Sequence, residues 1–346
     1  MSKSVKHIAV IRLSAMGDVA MTVPVILALV KQYPEVKVTV VSRSFFKPIF
    51  DKIPNVNYFS AHTKHQHKGL LGLFRLYKEL KQNGITQVAD LHNVLRSKII
   101  RILFALSGKK VAFTDKGRAE KKALTRLNNK DFKQLKSMVE RHVETFQKLG
   151  YKIDLDNPSF LEKGKISQKA IDLIGEKKEH WIGIAPFAQH QRKVYPLDLM
   201  QKVIEHLAQH SKAKIVLLGG GEHEKELLDK IAMGLKNVYN LAGVISFEHE
   251  LDLISNLDLM VSMDSGNAHL AAMFGVKTIT LWGATHPFAG FSPFNQPFEN
   301  CLLSDREQFP LLPTSVYGNK KVTGYEDAMR TISPELILEK ITTVLK

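Results

Sequence analysis

Two segments of this chain of 346 residues have the residue types of an anion-binding turn. Near the N-terminus, a strand-like apolar run leads into Gly17 and Asp18 and then into a helix with apolar periodicity. In the second half, another apolar run leads into Asp264, Ser265 and Gly266. A strand, a sharp turn and a helix in succession direct backbone N–H groups and the positive end of the helix dipole at one point, where anions bind. Two such junctions, one in each half, predict a two-domain enzyme that works in the cleft between its halves.

Asp18 and Lys193 are the candidate catalytic side chains. Asp18 could take a proton from an incoming hydroxyl as a general base. Alternatively, it could cap the helix predicted over residues 19–32. Lys193 precedes Pro196 near the start of a helix, where a lysine can neutralise a phosphate as a point charge. A solvated surface lysine is the other interpretation.

The glycine-rich segment 219–224 (GGGEHE) follows a predicted strand. Its glycines, beginning with Gly219, allow a ligand to approach the backbone closely. Glu224 stands where the third glycine of a dinucleotide fingerprint would fall, and this disfavours a nicotinamide-dependent dehydrogenase. The Glu224 carboxylate could accept hydrogen bonds from ribose hydroxyls, or it could serve only to stabilise the helix dipole.

The sequence gives little support for a metal site. His62, His65 and His67 lie close together, but lysines flank them, so a solvated basic loop is favoured over a metal site. The single cysteine, Cys301, excludes an internal disulfide and a multi-thiolate site. The HExxH and Walker A motifs do not occur in the sequence. We therefore expect neither a metal nor a cofactor.

Apolar runs and helical patterns alternate along the chain, and this indicates an α/β fold with parallel sheets. Strands are predicted at 7–13, 36–41, 87–91, 181–186, 214–218, 259–262 and 278–282. Helices are predicted at 19–32, 70–82, 197–209, 222–234, 248–255, 268–274 and 334–345, the last capped by Ser333. Ligands of open α/β sheets bind beyond the carboxyl ends of the strands, so the candidate residues should gather at that edge of each sheet.

The formal charge of +15 comes entirely from the first half, where residues 1–150 hold 28 Lys and Arg against 10 Asp and Glu. This asymmetry predicts an anionic partner for that half: an acidic membrane surface, a polyanionic substrate or nucleic acid. A generally basic surface is the alternative. The basic amphipathic helix 70–82 could lie on a membrane or simply cover the core. The apolar runs are too short to span a bilayer and a signal peptide is not evident, so a cytoplasmic location is expected.

Five motifs, in order, resemble the signatures of family 9 glycosyltransferases, the lipopolysaccharide heptosyltransferase family. They are SAMGDV at 14–19, DLHNVLRS at 90–97, RKVYP at 192–196, DSGNAHLAA at 264–272 and LWGATHP at 281–287. The resemblance covers nearly the whole chain. The chain differs from the family pattern at His92-Asn93, at Asn267-Ala268 and at His286, positions that bear on the identity of the donor sugar and of the acceptor.

The resemblance implies a GT-B fold with two Rossmann-like domains facing across a cleft. An N-terminal acceptor-binding domain is expected at 1–165 and a C-terminal nucleotide-sugar-binding domain at 180–325, with a last helix at 333–346 returning to the first domain. It implies a metal-independent, inverting transfer of a sugar, with heptose from ADP-heptose favoured, to an anionic glycolipid of the lipopolysaccharide inner core. Such an enzyme would be cytoplasmic and peripheral on the inner face of the bacterial inner membrane.

The same resemblance implies roles for individual residues. Asp18 matches the catalytic base, and Lys193 matches the lysine that binds the donor phosphate. The implied donor-binding residues are Gly219, Glu224, Asp264, Ser265, Gly266, Asn267 and His269. The implied acceptor-binding residues are Gly17, Asp90, Asn93, Arg96 and Arg141.

Three alternatives stay open at this point. One is a non-catalytic protein of the same fold that binds a sugar nucleotide or lipopolysaccharide. Another is a family 9 transferase that uses a different nucleotide sugar. A nucleic-acid-binding protein rests on the basic half alone, because no stacking-aromatic RNA motif or zinc finger accompanies that charge. We therefore expect no nucleic-acid partner.

Overall fold

The computed structural model describes residues 6–346, which form two compact units, each built around one parallel β-sheet. The first unit comprises residues 6–117 and Ser137–Leu161. The second comprises Arg118–Lys136 and Glu162–Lys346. Strands and helices alternate in both units, so the predicted α/β class with two parallel-sheet domains is confirmed.

The first unit contains a five-stranded sheet in the order β3-β2-β1-β4-β5. Every neighbouring pair of its strands runs parallel. Central strand β1 is buried from its second residue onward, because its run of Ile, Ala and Val is covered on both faces. The strands are β1 (His7–Ile11), β2 (Lys37–Ser42), β3 (Val56–Ser60), β4 (Gln87–Asp90) and β5 (Lys110–Phe113).

Among residues 6–346, six α-helices belong to the first unit. They are α1 (Met16–Ala20), α2 (Val23–Gln32), α3 (Lys47–Phe50), α4 (Gly69–Gln82), α5 (Leu95–Leu106) and α7 (Met138–Leu149). Helix α7 begins with a complete capping box, in which Ser137 and Glu140 each accept a backbone N–H of the other. The buried faces of α4 and α5 meet β1, β2 and β4 in one apolar cluster that includes Leu73, Leu76 and Phe104.

The second unit contains a six-stranded parallel sheet in the order β11-β10-β9-β6-β7-β8. Its strands are β6 (Trp181–Ala185), β7 (Lys214–Leu217), β8 (Val238–Asn240), β9 (Leu259–Met263), β10 (Lys277–Trp282) and β11 (Cys301–Leu303). Its helices are α6 (Arg118–Leu124), α8 (Gln168–Ile174), α9 (Leu197–His210), α10 (Glu222–Ala232), α11 (Phe247–Ser255), α12 (Gly266–Ala272) and α13 (Pro334–Leu345). Strands β6 and β9 are fully buried, which suits their central positions.

The helix predicted over 19–32 is two helices. Helix α1 ends at Ala20 and α2 begins at Val23, with Pro24 in its first turn. A proline is well tolerated in the first turn of a helix. The N–H groups of that turn have no acceptor within the helix, so the N–H that proline lacks does not cost a hydrogen bond. The Thr22 hydroxyl donates to the Val19 carbonyl at 2.7 Å and stabilises the junction.

The expected domain boundary differs from the structure at residues 118–136, which belong to the second unit although they precede 137–161 in sequence. Leu124, Leu135 and Phe132 pack with Ala289 and its aromatic neighbours. The ammonium group of Lys130 donates to the carbonyls of Leu311 and Pro313 at 2.7 and 2.6 Å. These apolar and polar contacts explain why the segment belongs to the second core.

The last helix also differs from expectation. It belongs to the second unit rather than the first, because it packs on α9, β9 and β10 and buries Ile337 and Ile341 in that unit's core. Ser333 caps it as predicted, accepting the Leu336 N–H at 3.2 Å. Over residues 6–346, no helix combines the length and apolarity needed to cross a bilayer.

Candidate active site

The candidate residues of the second unit lie beyond the carboxyl ends of its parallel strands. Lys193 is in a 3₁₀ turn, Gln191–Lys193, after β6. The glycine-rich segment follows β7, and the segment that starts at Asp264 follows β9. In a parallel sheet these ends share one edge, which is where open α/β sheets bind ligands.

Lys193 and Asp264 form an ion pair in which Nζ lies 2.9 Å from a carboxylate oxygen. Both side chains are largely buried, with 15% and 7% of their surface exposed. The pair joins the segments that follow β6 and β9, neighbouring strands of the sheet. The structure thus brings together two residues that are 71 positions apart in the sequence.

Two hydrogen bonds position the turn after β9. Asp264 N–H donates to the Leu281 carbonyl of β10 at 3.2 Å. The hydroxyls of Ser262 and Ser265 lie 3.0 Å apart. Helix α12 then begins at Gly266 and carries Asn267 and the buried His269. These hydrogen bonds connect the turn to β10 and across its own ends.

The Lys193 side chain packs against the loop of Ser315 and Gly318, which lies outside the five sequence motifs. A Cβ atom on Gly318 would lie 2.5 Å from Lys193 Cγ, so only glycine fits there. Gly318 has φ of +78°, and its N–H donates to the Ser315 hydroxyl at 2.9 Å. Ser315 N–H in turn donates to the Ala284 carbonyl, and Ala284 N–H donates to the Arg192 carbonyl. These hydrogen bonds, together with the packing of Gly318 on Lys193, connect the loop to the segment that carries Lys193.

Glu224 lies in the first turn of α10 and bonds locally. One of its carboxylate oxygens accepts the Gly220 N–H at 2.7 Å and approaches Gly219 closely. This geometry is that of an acidic residue stabilising the start of its own helix, which was one of the two interpretations. Glu224 remains half-exposed, so a contact with ribose stays a prediction.

In the first unit, Asp18 lies in the third position of α1, not at the N-cap. Its carboxylate pairs with the buried Arg12 at 2.5 Å and accepts the Ala15 N–H at 3.3 Å. Arg12 also donates to the carbonyls of Ser14 and Leu91, both at 2.8 Å. Arg12 therefore ties the loops after β1 and β4 to Asp18, whose side chain keeps 30% of its surface exposed.

Asp90 and Asn93 organise the loop after β4. Asp90 is fully buried, and its carboxylate accepts the N–H groups of His92 and Asn93 and pairs with Arg101 at 3.0 Å. Burial raises the pKa of Asp90, against those hydrogen bonds. Asn93 adopts φ of +44° and donates to the Thr114 carbonyl at 2.9 Å. Asp90 is thus placed to shape the loop rather than to touch a ligand.

His92 connects this loop to the segment that follows β1. Its Nδ1 accepts the Leu13 N–H at 3.3 Å. Burial, followed by the charge of Arg12, lowers the pKa of His92 to about 3. The imidazole is therefore neutral at physiological pH, which suits its role as a hydrogen-bond acceptor.

The other predicted acceptor residues occupy different environments. Gly17 is half-buried within α1, and Arg96 is exposed in the first turn of α5. Arg141 is buried, and its guanidinium packs against Gly117, where a Cβ atom would lie too close to Nη2. These three residues all belong to the first unit.

The histidine cluster is partly structural. His67 is buried, with Nδ1 accepting the His62 N–H at 3.0 Å and Nε2 lying 3.1 Å from Glu79. His62 and His65 are exposed. Within the part of the chain that the structure describes, no group of three or more His, Cys, Asp or Glu side chains is arranged to hold a metal ion.

The architecture of both units is that of known GT-B enzymes. The structure of a family 9 glycosyl transferase from Veillonella parvula DSM 2008 matches with a TM-score of 0.77 and 19% identity, over 100% of this chain and 98% of that one. The ADP-heptose lipopolysaccharide heptosyltransferase II of E. coli matches with a TM-score of 0.68 and 19% identity, over 98% of both chains. The chain therefore has the GT-B fold of two Rossmann-like domains.

Sequence comparison gives the family. The model of "Glycosyltransferase family 9 (heptosyltransferase)" matches residues 73–320. The lipooligosaccharide heptosyltransferase 2 of Haemophilus influenzae is 27% identical over 361 aligned positions, covering 98% of this chain and 99% of that protein. This chain belongs to glycosyltransferase family 9, and the predicted resemblance and glycosyltransferase class are confirmed.

Proposed function

We propose that this glycosyltransferase moves heptose from ADP-heptose to an anionic inner-core glycolipid of the lipopolysaccharide type, with inversion and without a metal. The observation that carries the proposal is the Lys193–Asp264 pair at the carboxyl edge of the second sheet, in a chain of this family. Relatives of matching length are heptosyltransferases, and the name of one includes ADP-heptose.

Lys193 would bind the donor diphosphate. Its ammonium group has three N–H donors, and Asp264 accepts one of them. The other two can point towards phosphate oxygens, while Asp264 holds the ammonium group in place. Ser265, Gly266, Asn267 and His269 would line the same donor site, and Gly219 and Glu224 would approach the ribose.

Asp18 would be the general base. A base must be accessible and positioned, and the Asp18 side chain is 30% exposed while Arg12 holds its carboxylate in place. Gly17, Asn93, Arg96 and Arg141 would form or support the acceptor site. Asp90 would act through the loop that it holds.

The reaction follows from these roles. The acceptor hydroxyl oxygen forms a bond to the anomeric carbon of heptose as the bond from that carbon to the diphosphate oxygen breaks. The hydroxyl proton passes to Asp18, and the bonding electrons leave with ADP. Lys193 stabilises the charge that grows on the diphosphate, in the manner of other preorganised sites. Attack opposite the leaving group inverts the anomeric centre.

The location follows from the acceptor. An enzyme that modifies a glycolipid works at a membrane surface, so we place this one on the cytoplasmic side of the inner membrane as a peripheral protein. The excess of positive charge in residues 1–150 supports contact with anionic groups there.

A nucleotide screen tests the donor assignment. Thermal unfolding should be measured with ADP, UDP, GDP and CMP, each with and without EDTA. We expect ADP alone to raise the melting temperature, and we expect EDTA to have no effect. Stabilisation by another nucleotide, or loss of the ADP effect in EDTA, would contradict the proposal.

Variants of two lysines test the phosphate contact. Lys193→Met should weaken ADP binding by roughly 10- to 100-fold, because a charge-assisted hydrogen bond contributes about 1.5–3 kcal/mol. Lys202→Met, which removes an exposed lysine from α9, is the matched control and should bind ADP like the wild type. Calorimetric titration gives both dissociation constants, and equal affinities would remove Lys193 from the donor site.

A further inference from the structure

Large apolar side chains are exposed at one edge of the first unit's sheet. Phe45 follows β2, Leu70 and Leu71 begin α4 after β3, Leu95 begins α5 after β4, and Phe113 ends β5. Between 44% and 87% of their surface is exposed. Because the five strands are parallel, the segments that follow them lie at the same carboxyl edge.

Helix α4 shows that this exposure is not a consequence of core packing. Its core face is complete, since Leu73, Leu76 and Leu80 are buried. The apolar residues of its first turns, Leu70 and Leu71, are 73% and 87% exposed. A helix that only covers a sheet carries polar residues on that side.

Positive charge predominates at the same edge, where Asp18 and Asp90 are paired with Arg12 and Arg101 and Asp115 is an exposed carboxylate. The segments 43–50, 61–78 and 91–114 contain no Asp or Glu. Exposed Lys64, Lys68, Arg75 and Arg96 lie next to the apolar residues. A cavity of about 200 Å³ between the segments after β2 and β3 is lined by Arg43, Lys64 and two histidines. Exposed apolar groups among basic groups are typical of proteins that lie on an anionic bilayer.

We propose that this edge of the first unit is a docking surface for an anionic lipid bilayer, with Leu70 and Leu71 entering the headgroup region. The basic side chains would contact lipid phosphates. The inference rests on the proposed function, because a glycolipid acceptor is anchored in such a bilayer. Asp18 and Arg12 follow β1 of the same parallel sheet, so docking would bring the bilayer to the edge that carries the proposed base.

Vesicle cosedimentation of the full chain tests the surface. The vesicles contain either phosphatidylethanolamine with phosphatidylglycerol or phosphatidylcholine alone. We expect binding to the anionic vesicles only, with affinity falling as salt is added. The variant Leu70→Gln/Leu71→Gln should bind at least about tenfold more weakly, since the lost apolar insertion supports the headgroup contacts. Its melting temperature should match that of the wild type.

Met233→Gln is the matched control. Met233 is 74% exposed, like the two leucines, but lies in the second unit, and its replacement should leave vesicle binding unchanged. Equal binding of the leucine variant and the wild type would overturn the inference, as would wild-type binding to neither vesicle. A dimer in light scattering that the leucine variant abolishes would also overturn it and assign the patch to a second copy. ADP binding separates the two ideas, because it tests the proposed function and does not involve this surface.

Discussion

Arg12 is the residue that best explains how Asp18 could act. A buried arginine directly after a strand needs partners, and Arg12 donates to the Asp18 carboxylate and to two carbonyls. A buried charge without such partners would cost several kcal/mol. Asp18 was predictable from its motif, whereas the only sequence signal for Arg12 was its position within the apolar run IAVIRLS.

The low pKa of His92 predicts a loss of stability in acid. The ordinary histidine pKa is 6.5 and the folded value is about 3, so between these values the unfolded chain binds more protons. The free energy of unfolding should therefore fall as the pH drops from 7 towards 3. At pH 5 the contribution of His92 to this loss is about 2 kcal/mol.

His92→Asn isolates this effect, because an asparagine oxygen can accept the Leu13 N–H but does not titrate there. Urea unfolding at pH 7 and pH 5 should show a smaller pH-dependent loss for the variant than for the wild type. Burial also lowers the pKa of His286, to about 4. The free energy of unfolding should therefore still fall somewhat with pH in both proteins. Equal losses in the two proteins would show that His92 is not held neutral.

At the scale of elements, the loop of Ser315 and Gly318 is predicted to position Lys193. Gly318→Ala would place a methyl group against the Lys193 stem and displace its ammonium group from Asp264. ADP affinity should fall about tenfold, the equivalent of roughly 1.4 kcal/mol. Calorimetric titration with ADP measures this.

Gly324→Ala is a close control for that variant. Gly324 has φ of +80°, almost equal to the +78° of Gly318, so both alanines suffer the same backbone strain of about 1–2 kcal/mol. A Cβ atom on Gly324 would meet nothing within 4 Å. If both variants lose ADP affinity equally, strain rather than contact with Lys193 is responsible.

The elements that sequence patterns missed are the ones with the weakest patterns. The seven predicted strands are all present, and the four missed strands, β3, β5, β8 and β11, are the edges of the two sheets. Edge strands are short and partly exposed, so they lack a continuous apolar run. The residues around Asp18, Lys193 and Asp264 were predictable because they follow central strands. The Ser315 loop was not, because its role depends on packing across distant segments.

At the scale of the whole molecule, the segment 118–136 crosses from one unit to the other along the chain. It leaves the first unit at Gly117, packs on the second, and rejoins the first at Ser137. The Arg306 guanidinium stacks on Phe132 at 3.4 Å, which anchors the crossing segment to the second unit. The order of elements along the chain predicted a single domain boundary. It could not reveal the crossing segment, because the contacts that assign this segment to the second unit link residues about 170 positions apart.

Hydrogen exchange tests this assignment. If ADP binds the second unit, it should slow exchange in α6 together with the other helices of that unit, since ligand binding stabilises every amide that opens with it. At 100 times the dissociation constant the gain is about 2.7 kcal/mol, or roughly 100-fold in rate. In the variant Phe132→Ala, ADP should no longer slow hydrogen exchange in 118–136, while the slowing in the rest of the second unit should remain. Segment 118–136 would belong elsewhere if ADP slowed the second unit but not this segment.

The role of Asp18 is tested most directly by turnover of Asp18→Asn with ADP-heptose and an inner-core glycolipid acceptor. The substitution keeps the shape of the side chain and removes the base, so the rate of ADP release should fall roughly 10²- to 10⁴-fold with donor affinity unchanged. Asp51→Asn, which alters an exposed carboxylate of the same unit, should retain the wild-type rate. Full turnover by Asp18→Asn with intact donor binding would contradict the account and leave Asp18 as the partner of Arg12 alone.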